Sequence, residues 1–324
     1  MATNYLYGTV LTGEAVAANN RGDNIGNTTT LQKVFHQDDL HTSVSAEAIR
    51  FALRYRFQLE GLKVNRSYEP HTDKGLFYED EKRAYWNSDG DVYIDDDLMG
   101  FMDAAAAQAE KEAEEAEGGD EAAKPSKKKP KGKTTKRPGP LAVGRAVSLR
   151  PYRGELSFNA VSGEKVKGKL SLYSAEMHTT EYQYSFGLNL DDVIKKENIG
   201  HLIDAVVDPP PVAGNHARFA YDFSPASIVL RVTNAHSSKI QNCFEHDEEN
   251  RTFTIEKLID RVRSGDIPSN ELVVGGEVAS TEGGAELKKL GAAVVAGVKE
   301  AADEARARIA KMDGGFAALS RNGG

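Results

Sequence analysis

One cysteine, Cys243, in 324 residues excludes a disulfide within the chain and a zinc site built from cysteines. No run approaches the ~20 apolar residues that a membrane-spanning helix needs. The opening MATNYLYGTVLTG lacks the basic-then-apolar order of a signal peptide. The expectation is therefore a cytoplasmic protein with no membrane partner. Nucleophile signatures are missing as well: there is no G-x-S-x-G, and Cys243 sits in QNCFEH, which matches none. No Gly-Lys-Ser/Thr follows the glycines near the amino terminus, and the dinucleotide glycine spacing is not met. Asp23 and the pair Asp38–Asp39 are acidic turn residues, with no histidine or third carboxylate at a ligand-like spacing. No catalytic residue, metal or cofactor is expected.

Net charge is −8, but its distribution says more than its sum. Glu79 to Glu121 holds 16 acidic and 3 basic residues, and Lys124 to Arg137 holds 8 basic residues and no acid. The rest of the chain is close to neutral, so a global pI near 5.6 says little about partners. Running from the end of the acidic block through the basic one, GGDEAAKPSKKKPKGKTTKRPGP has too little apolar surface to fold and reads as part of a disordered linker, about 104–140, with a weak, salt-sensitive pull on nucleic acid.

An apolar fraction of 40% supports a real core. Tyr5–Leu11 reads as a strand, followed by a polar loop over Asn19–Asn27, a short strand near Leu31–Phe35 and a turn at HQDDL. Ala46–Leu59 reads as a helix capped by Ser45, with Ile49, Leu53 and Phe57 as its buried stripe. Further strands are expected at Asp91–Ile94, over 146–160, at Leu170–Tyr173, at Glu181–Leu190 and at Ser227–Thr233. Further helices are expected at Ile199–Val207 (stopped by Pro209–Pro211), at Thr254–Ser264 and, as one long helix, at Glu286–Met312. The order fits an α+β chain with a ferredoxin-like β-α-β-β-α-β core.

Three clusters could carry function. NNRGDNIGN, with Asn19, Asn20, Arg21, Asn24 and Asn27, offers amide donors, a guanidinium and glycines that let backbone N–H groups approach a phosphate; a solvated loop has the same composition. Ser45 opens a helix carrying Arg50 and Arg54, a helix amino terminus with two bidentate donors; pairing of those arginines with Glu47 and Glu60 is the plainer reading. Asn215, His216 and Arg218 form a basic turn beside Phe219 and Tyr221, which suits single-stranded nucleic acid as well as it suits a core.

GTVLTGEAVAANNRGDN, TTTLQKVFHQDDLHTSVSAEAIRFALR with its Ser-x-x-x-x-Arg-x-x-x-Arg spacing, EYQYSFGLNLDDV and VAGNHARFAYDFSPASIVLRVT together resemble the backbone subunit of the type I CRISPR surveillance complex (Cascade), in the Cas-seven/DevR family and its I-B branch. The resemblance covers roughly 1–60 and 145–263. It implies an RRM-type palm (1–60 and 141–265) with a finger insertion (61–140), a thumb hairpin (155–180) and a carboxy-terminal helical extension (266–324). The implied role is a non-catalytic guide-RNA (crRNA) scaffold that polymerises along the guide and presents it to target DNA. Its implied partners are further copies of itself and the large, cap and small subunits. The implied contacts are Ser43, Ser45, Arg50 and Arg54, the preceding loop with Lys33, and thumb residues Met177, His178 and Thr179 as a wedge between guide bases. A metal-dependent ribonuclease using Asp23, as in type III relatives, and a DevR-type autoregulator are the competing implications.

Overall fold

The computed structural model describes residues 3–36, 38–72, 75–87, 91–102, 136–160, 172–213, 221–312 and 314–319. Strands β1 (Tyr5–Thr12) and β2 (Ala15–Ala17) lead into two hairpins, β3 (Arg21–Ile25) with β4 (Thr28–Leu31), and β5 (Lys33–His36) with β6 (Asp39–Val44). Helix α1 (Ala46–Leu59) follows. An insertion holds the hairpin β7 (Arg66–Tyr68)–β8 (Leu76–Tyr78), the short helix α2 (Ile94–Met99) and the ribbon β9 (Phe101–Met102)–β10 (Lys136–Arg137). Next come β11 (Leu141–Val143), β12 (Ala146–Ser148), the hairpin β13 (Glu155–Ala160)–β14 (Leu172–Thr180), β15 (Tyr182–Asn189), α3 (Glu197–Val207) and β16 (Pro225–Thr233). The chain finishes with β17 (Glu245–Asp247), β18 (Thr252–Thr254), α4 (Glu256–Arg263), β19 (Leu272–Gly276), α5 (Glu282–Lys289), β20 (Ala293–Val295) and α6 (Val298–Ala310).

The main sheet runs β20-β19-β16-β1-β15-β12-β6-β5, with β11 also on β15. Only the β19–β20 pair within it is parallel. Alternation along β1, β16 and β19 divides their side chains between two cores, as a period of two requires. Leu6 and Val10 of β1, Tyr184, Phe186 and Leu188 of β15, and Ile228 and Leu230 of β16 pack under α1, α3 and α6. Leu11, Val229 and Val274 face the other way, against Ile240, Phe244, α4 and α5. The order of β1, α1, β12, β15, α3 and β16 along the chain is strand, helix, strand, strand, helix, strand.

Helix α1 has its expected bounds; Ser45 caps it by accepting from Ala48 N (3.2 Å), and Ile49, Leu53 and Phe57 are buried. Three other expectations fail. Asp91–Ile94 is not a strand: Ile94 opens α2, whose three successive aspartates are drawn inward by buried donors. The expected helix over 286–312 is two helices around a strand. Gly291 sits at φ +99°, which breaks the α run, and the β-branched Val294 and Val295 then pair alongside β19. The polar loop, finally, is largely the hairpin β3–β4.

Candidate nucleic-acid interface

Strand β4 pairs in parallel with β14 at Thr28–Ser174 and Thr29–Ala175, and β2 pairs with β14 at Ala17–His178. The amino-terminal hairpin and the hairpin β13–β14 thus form one sheet, ordered β13-β14-β4-β3. Arg21, Asn24 and Asn27 are exposed on this sheet. Beside it, Lys33 pairs with Glu176 and lies 4.7 Å from the centroid of the Tyr152 ring. Glu176 also accepts from Leu31 N (2.7 Å), so one carboxylate joins the two hairpins.

Asn19 and Asn20 do not present their amides to a ligand. Both are buried: Asn19 Nδ2 donates to Val212 O (2.7 Å), and Asn20 Nδ2 donates to Ser43 O (2.7 Å). Asn20 takes φ +57°, a conformation asparagine tolerates better than most residues, and so turns the chain between β2 and β3. Ser43 is buried, but its Oγ accepts from Arg145 Nη1 (3.2 Å), and Arg145 also reaches Gln32 Oε1 (3.4 Å). Arg145 is exposed and makes no ion pair among the described residues. Sequence reasoning missed it because a lone arginine between short strands has no local signature.

Arg50 and Arg54 occupy a different environment from the wet stripe that was expected. Arg50 donates to Leu141 O (3.2 Å) and Met99 O (2.9 Å); Arg54 donates to Asp95 Oδ2 (3.2 Å). Neither the expected phosphate-facing geometry nor pairing with Glu47 and Glu60 is found; Arg56 pairs with Glu60 instead. The insertion folds back over this face of α1, so the guanidiniums serve its carbonyls and its aspartate. Burial pulls the pKa of both arginines down, and nearby Arg66 adds to the effect. Burial raises the Asp95 carboxyl, partly offset by the N–H of Asn65. The pair is thus held by geometry at a desolvation cost to both partners.

The aspartates of α2 form a node that the acidic composition had concealed. Asp95 accepts from Asn65 N (2.7 Å) and Arg66 N (3.1 Å). Asp96 accepts from Asn65 Nδ2 (2.7 Å) and Tyr85 Oη (2.5 Å). Asp97, fully buried, accepts from Arg137 Nη2, Ile194 N, Lys195 N and Asn198 Nδ2. Three consecutive carboxylates thereby tie the insertion to α1, to β10 and to the start of α3.

The wedge residues are also more buried than expected. Met177 is partly exposed, but His178 is only 2% exposed, with Nδ1 2.8 Å from Thr42 Oγ1. Burial pushes the His178 pKa down to about 4, so the ring is neutral near pH 7. Thr179 N and Oγ1 both donate to Glu155 Oε2. Asn215, His216, Arg218 and Phe219, with most of the basic run, lie outside the described residues; Tyr221 is buried in the core. Among the described residues there is no group of three metal-ligating side chains, and no helix is long and apolar enough to cross a membrane.

Comparison with known proteins agrees with this architecture. Residues 10–264 match the family described as CRISPR-associated negative auto-regulator DevR/Csa2. A protein of Myxococcus xanthus (strain DK1622), described as CRISPR-associated protein Cas7/Cst2/DevR, is 37% identical over 314 residues, covering 94% of this chain and 97% of the relative. Among solved structures, a chain of a CRISPR RNA-guided surveillance complex in a pre-nicking state superposes with TM-score 0.60 at 12% identity. A second chain, from a CRISPR RNA-guided surveillance complex, gives TM-score 0.56 at 12% identity; each covers 94% of this chain and 99% of the other. At that identity the likeness is one of fold.

Proposed function

Because the chain belongs to the CRISPR-associated DevR/Csa2 family, which its match over residues 10–264 and its Cas7/Cst2/DevR relative establish, we propose that it is a guide-RNA-binding backbone subunit of a surveillance complex. In this reading the main sheet with α1 and α3 is an RRM-type palm. The β13–β14 hairpin is the thumb, the α2 insertion the fingers, and residues beyond 265 an extension built onto the palm. Copies assemble in the cytoplasm along a guide, with the other subunits of a type I-B complex, and present it for pairing with target DNA in antiviral defence. The chain holds the strand and does not cut it.

The joining of the amino-terminal hairpin to β14 carries this reading, because it sets Arg21, Asn24 and Asn27 beside the thumb on one sheet, with Lys33 next to it. A subunit repeated along RNA needs contacts to phosphate that fix position without reading sequence; base pairing supplies the specificity. Exposed amides and guanidiniums on a rigid hairpin are suited to that task. Arg50 and Arg54 enter it by shaping the palm–finger junction rather than as free donors.

Purification of the assembled complex tests the proposal: a bound small RNA of uniform length is expected. Replacing Arg21 and Arg145 together by Ala should reduce its retention to a similar degree for unrelated guides. Absence of RNA, or retention unaltered by the double substitution, would refute the reading and favour autoregulation by another route. Asp23 is exposed on β3, and its backbone carbonyl accepts from Thr30 Oγ1 (2.6 Å). On the non-catalytic reading, incubation of the complex with complementary RNA and a divalent metal should leave the RNA intact; cleavage lost in Asp23→Ala would reverse that assignment.

A further inference from the structure

Helix α1 carries a second stripe beside its buried one. Phe51, Tyr55 and Leu59 recur at i, i+4 and i+8; the two rings are half-buried and Leu59 is exposed. The hairpin β7–β8 lies against Phe51 and Tyr55. Within it Tyr68 pairs with Leu76 and Arg66 with Tyr78, so these four share one face. An amide fixes the hairpin in place: Gln58 Nε2 donates to Tyr68 O (2.9 Å), and Tyr68 N donates back to Gln58 Oε1 (2.8 Å). The Tyr68 ring meets Phe51 and Tyr55 edge-on, with centroids 5.1 and 5.7 Å away. Leu76 and Tyr78 stay exposed.

Charge does not balance at this junction. Arg50, Arg54 and Arg66 form one group: after burial, repulsion from Arg66 is the next cause that lowers the pKa of both others. Among the described residues, the single ion pair of the three is Arg54 with Asp95, whose carboxylate already accepts from the backbone N–H groups of Asn65 and Arg66. Arg50 donates to carbonyls. Arg66 has no carboxylate partner among the described residues, and its Nε, like Arg54 Nη1, is buried without an acceptor. Both arginines line a narrow cleft with the Phe51, Tyr55 and Tyr68 rings, and Leu76 is its most exposed wall. At rest the cleft has no room for a water molecule. Buried donors held in this way are unfavourable until an acceptor reaches them.

We propose that this cleft is the docking site of an acidic segment of a partner protein, one glutamate of which displaces Leu76 and sets its carboxylate against Arg66 and Arg54. The surplus of guanidinium charge calls for an anion, and the width of the cleft selects which one. A phosphodiester carries a ribose on each side and cannot follow a single anion into so narrow a gap. A glutamate ends an unbranched stem and can. Around the cleft, the Tyr68, Tyr78, Leu59 and Leu76 side chains offer the mixture of rings and aliphatic groups, beside arginine, that protein interfaces favour. The site does not depend on a guide being held by the hairpin sheet.

The test compares the full chain's affinity for a labelled decapeptide of alternating Ala and Glu with that for the same peptide carrying Gln in place of Glu. Fluorescence anisotropy at about 0.15 M salt suits it, because exposed charges beyond about 8 Å are then screened. The cleft predicts a preference for the Glu peptide of about tenfold or more, the value of a hydrogen bond between charged groups. Arg66→Gln should abolish that preference while leaving the backbone N–H that Arg66 gives to Asp95. Equal affinity for the two peptides, or a preference that survives Arg66→Gln, would overturn the proposal. A labelled oligouridylate of about ten nucleotides tests the other class of partner: if its affinity falls in Arg66→Gln and the peptide's does not, the cleft serves nucleic acid and the proposal fails. Photocrosslinking with a benzoylphenylalanine in the Glu peptide uses the unaltered protein and so avoids any folding defect. Attachment at Phe51, Tyr55, Tyr68 or Leu76 is expected, and attachment only elsewhere would refute the site. If no guide RNA co-purifies while the Glu preference holds, the scaffold reading falls and this site stands.

Discussion

Asp97→Asn removes one charge and replaces one oxygen by nitrogen, with almost no change in volume. In the native protein Oδ1 accepts from Arg137 Nη2 (2.8 Å) and Ile194 N (2.9 Å), and Oδ2 accepts from Lys195 N (3.1 Å) and Asn198 Nδ2 (2.8 Å). Whichever way the amide turns, its NH2 group meets two donors and two hydrogen bonds are lost. Each bond to a charged group contributes about 1.5–3 kcal/mol. Arg137 is also left without its buried counter-ion, a change that typically costs about 3–5 kcal/mol. The expected loss of stability is therefore about 3–5 kcal/mol. Urea unfolding followed by Trp86 fluorescence is a direct assay, because the Arg137 guanidinium lies 4.9 Å from the Trp86 ring centroid and the probe sits on the same node. A parallel circular dichroism curve shows whether the insertion unfolds ahead of the sheet or together with it. A loss below about 1 kcal/mol, the value of an ordinary hydrogen bond, would refute the claim that this carboxylate organises the insertion.

Arg54→Ala leaves Asp95 without its cation, and urea unfolding should show a loss of about 3 kcal/mol; near-zero loss would restore Arg54 as a free surface donor. His178 is neutral in the folded protein down to about pH 4 but titrates near 6.5 when unfolded. The unfolded state therefore binds the extra proton, and stability falls as pH drops from 6.5 to 4, by up to about 3 kcal/mol from this ring. His178→Asn should flatten that slope in denaturation midpoints measured across the window; an unchanged slope would sink the assignment. Gly276 has φ +93°, and a Cβ there would lie 2.1 Å from Ala226 O. Gly276→Ala should cost at least about 2 kcal/mol in thermal unfolding, while an unchanged melting temperature would show that the β16–β19 edge yields easily.

Legibility from sequence followed the range of the forces involved. Helix α1 was readable in full because a cap, a stripe and a terminus all lie within a few turns of one another. The β-rich pieces at β1, β15 and β16 were readable from alternation, although the register that joins them was not. The run from Glu286 to Met312 misled because alanine propensity is a weak preference, and pairing beside β19 together with the turn at Gly291 outweighed it. Asn19 and Asn20 were identified as important residues and assigned the wrong task. Their amides close backbone carbonyls at Val212 and Ser43, and no local pattern reports a partner 193 residues away.

By itself the sequence determined the lack of a disulfide within the chain, the family, the first helix and the alternation of β1 and β16. Composition and short-range periodicity are local quantities, and they survive in a one-dimensional reading. Tertiary structure alone decided that the amino-terminal hairpin and the β13–β14 hairpin are one sheet and that Arg50 and Arg54 face inward. It also decided that three acidic residues form a buried node. Each of these depends on which groups meet across long separations. There a donor, an acceptor or a covering segment sets whether a polar side chain is exposed or satisfied within the fold.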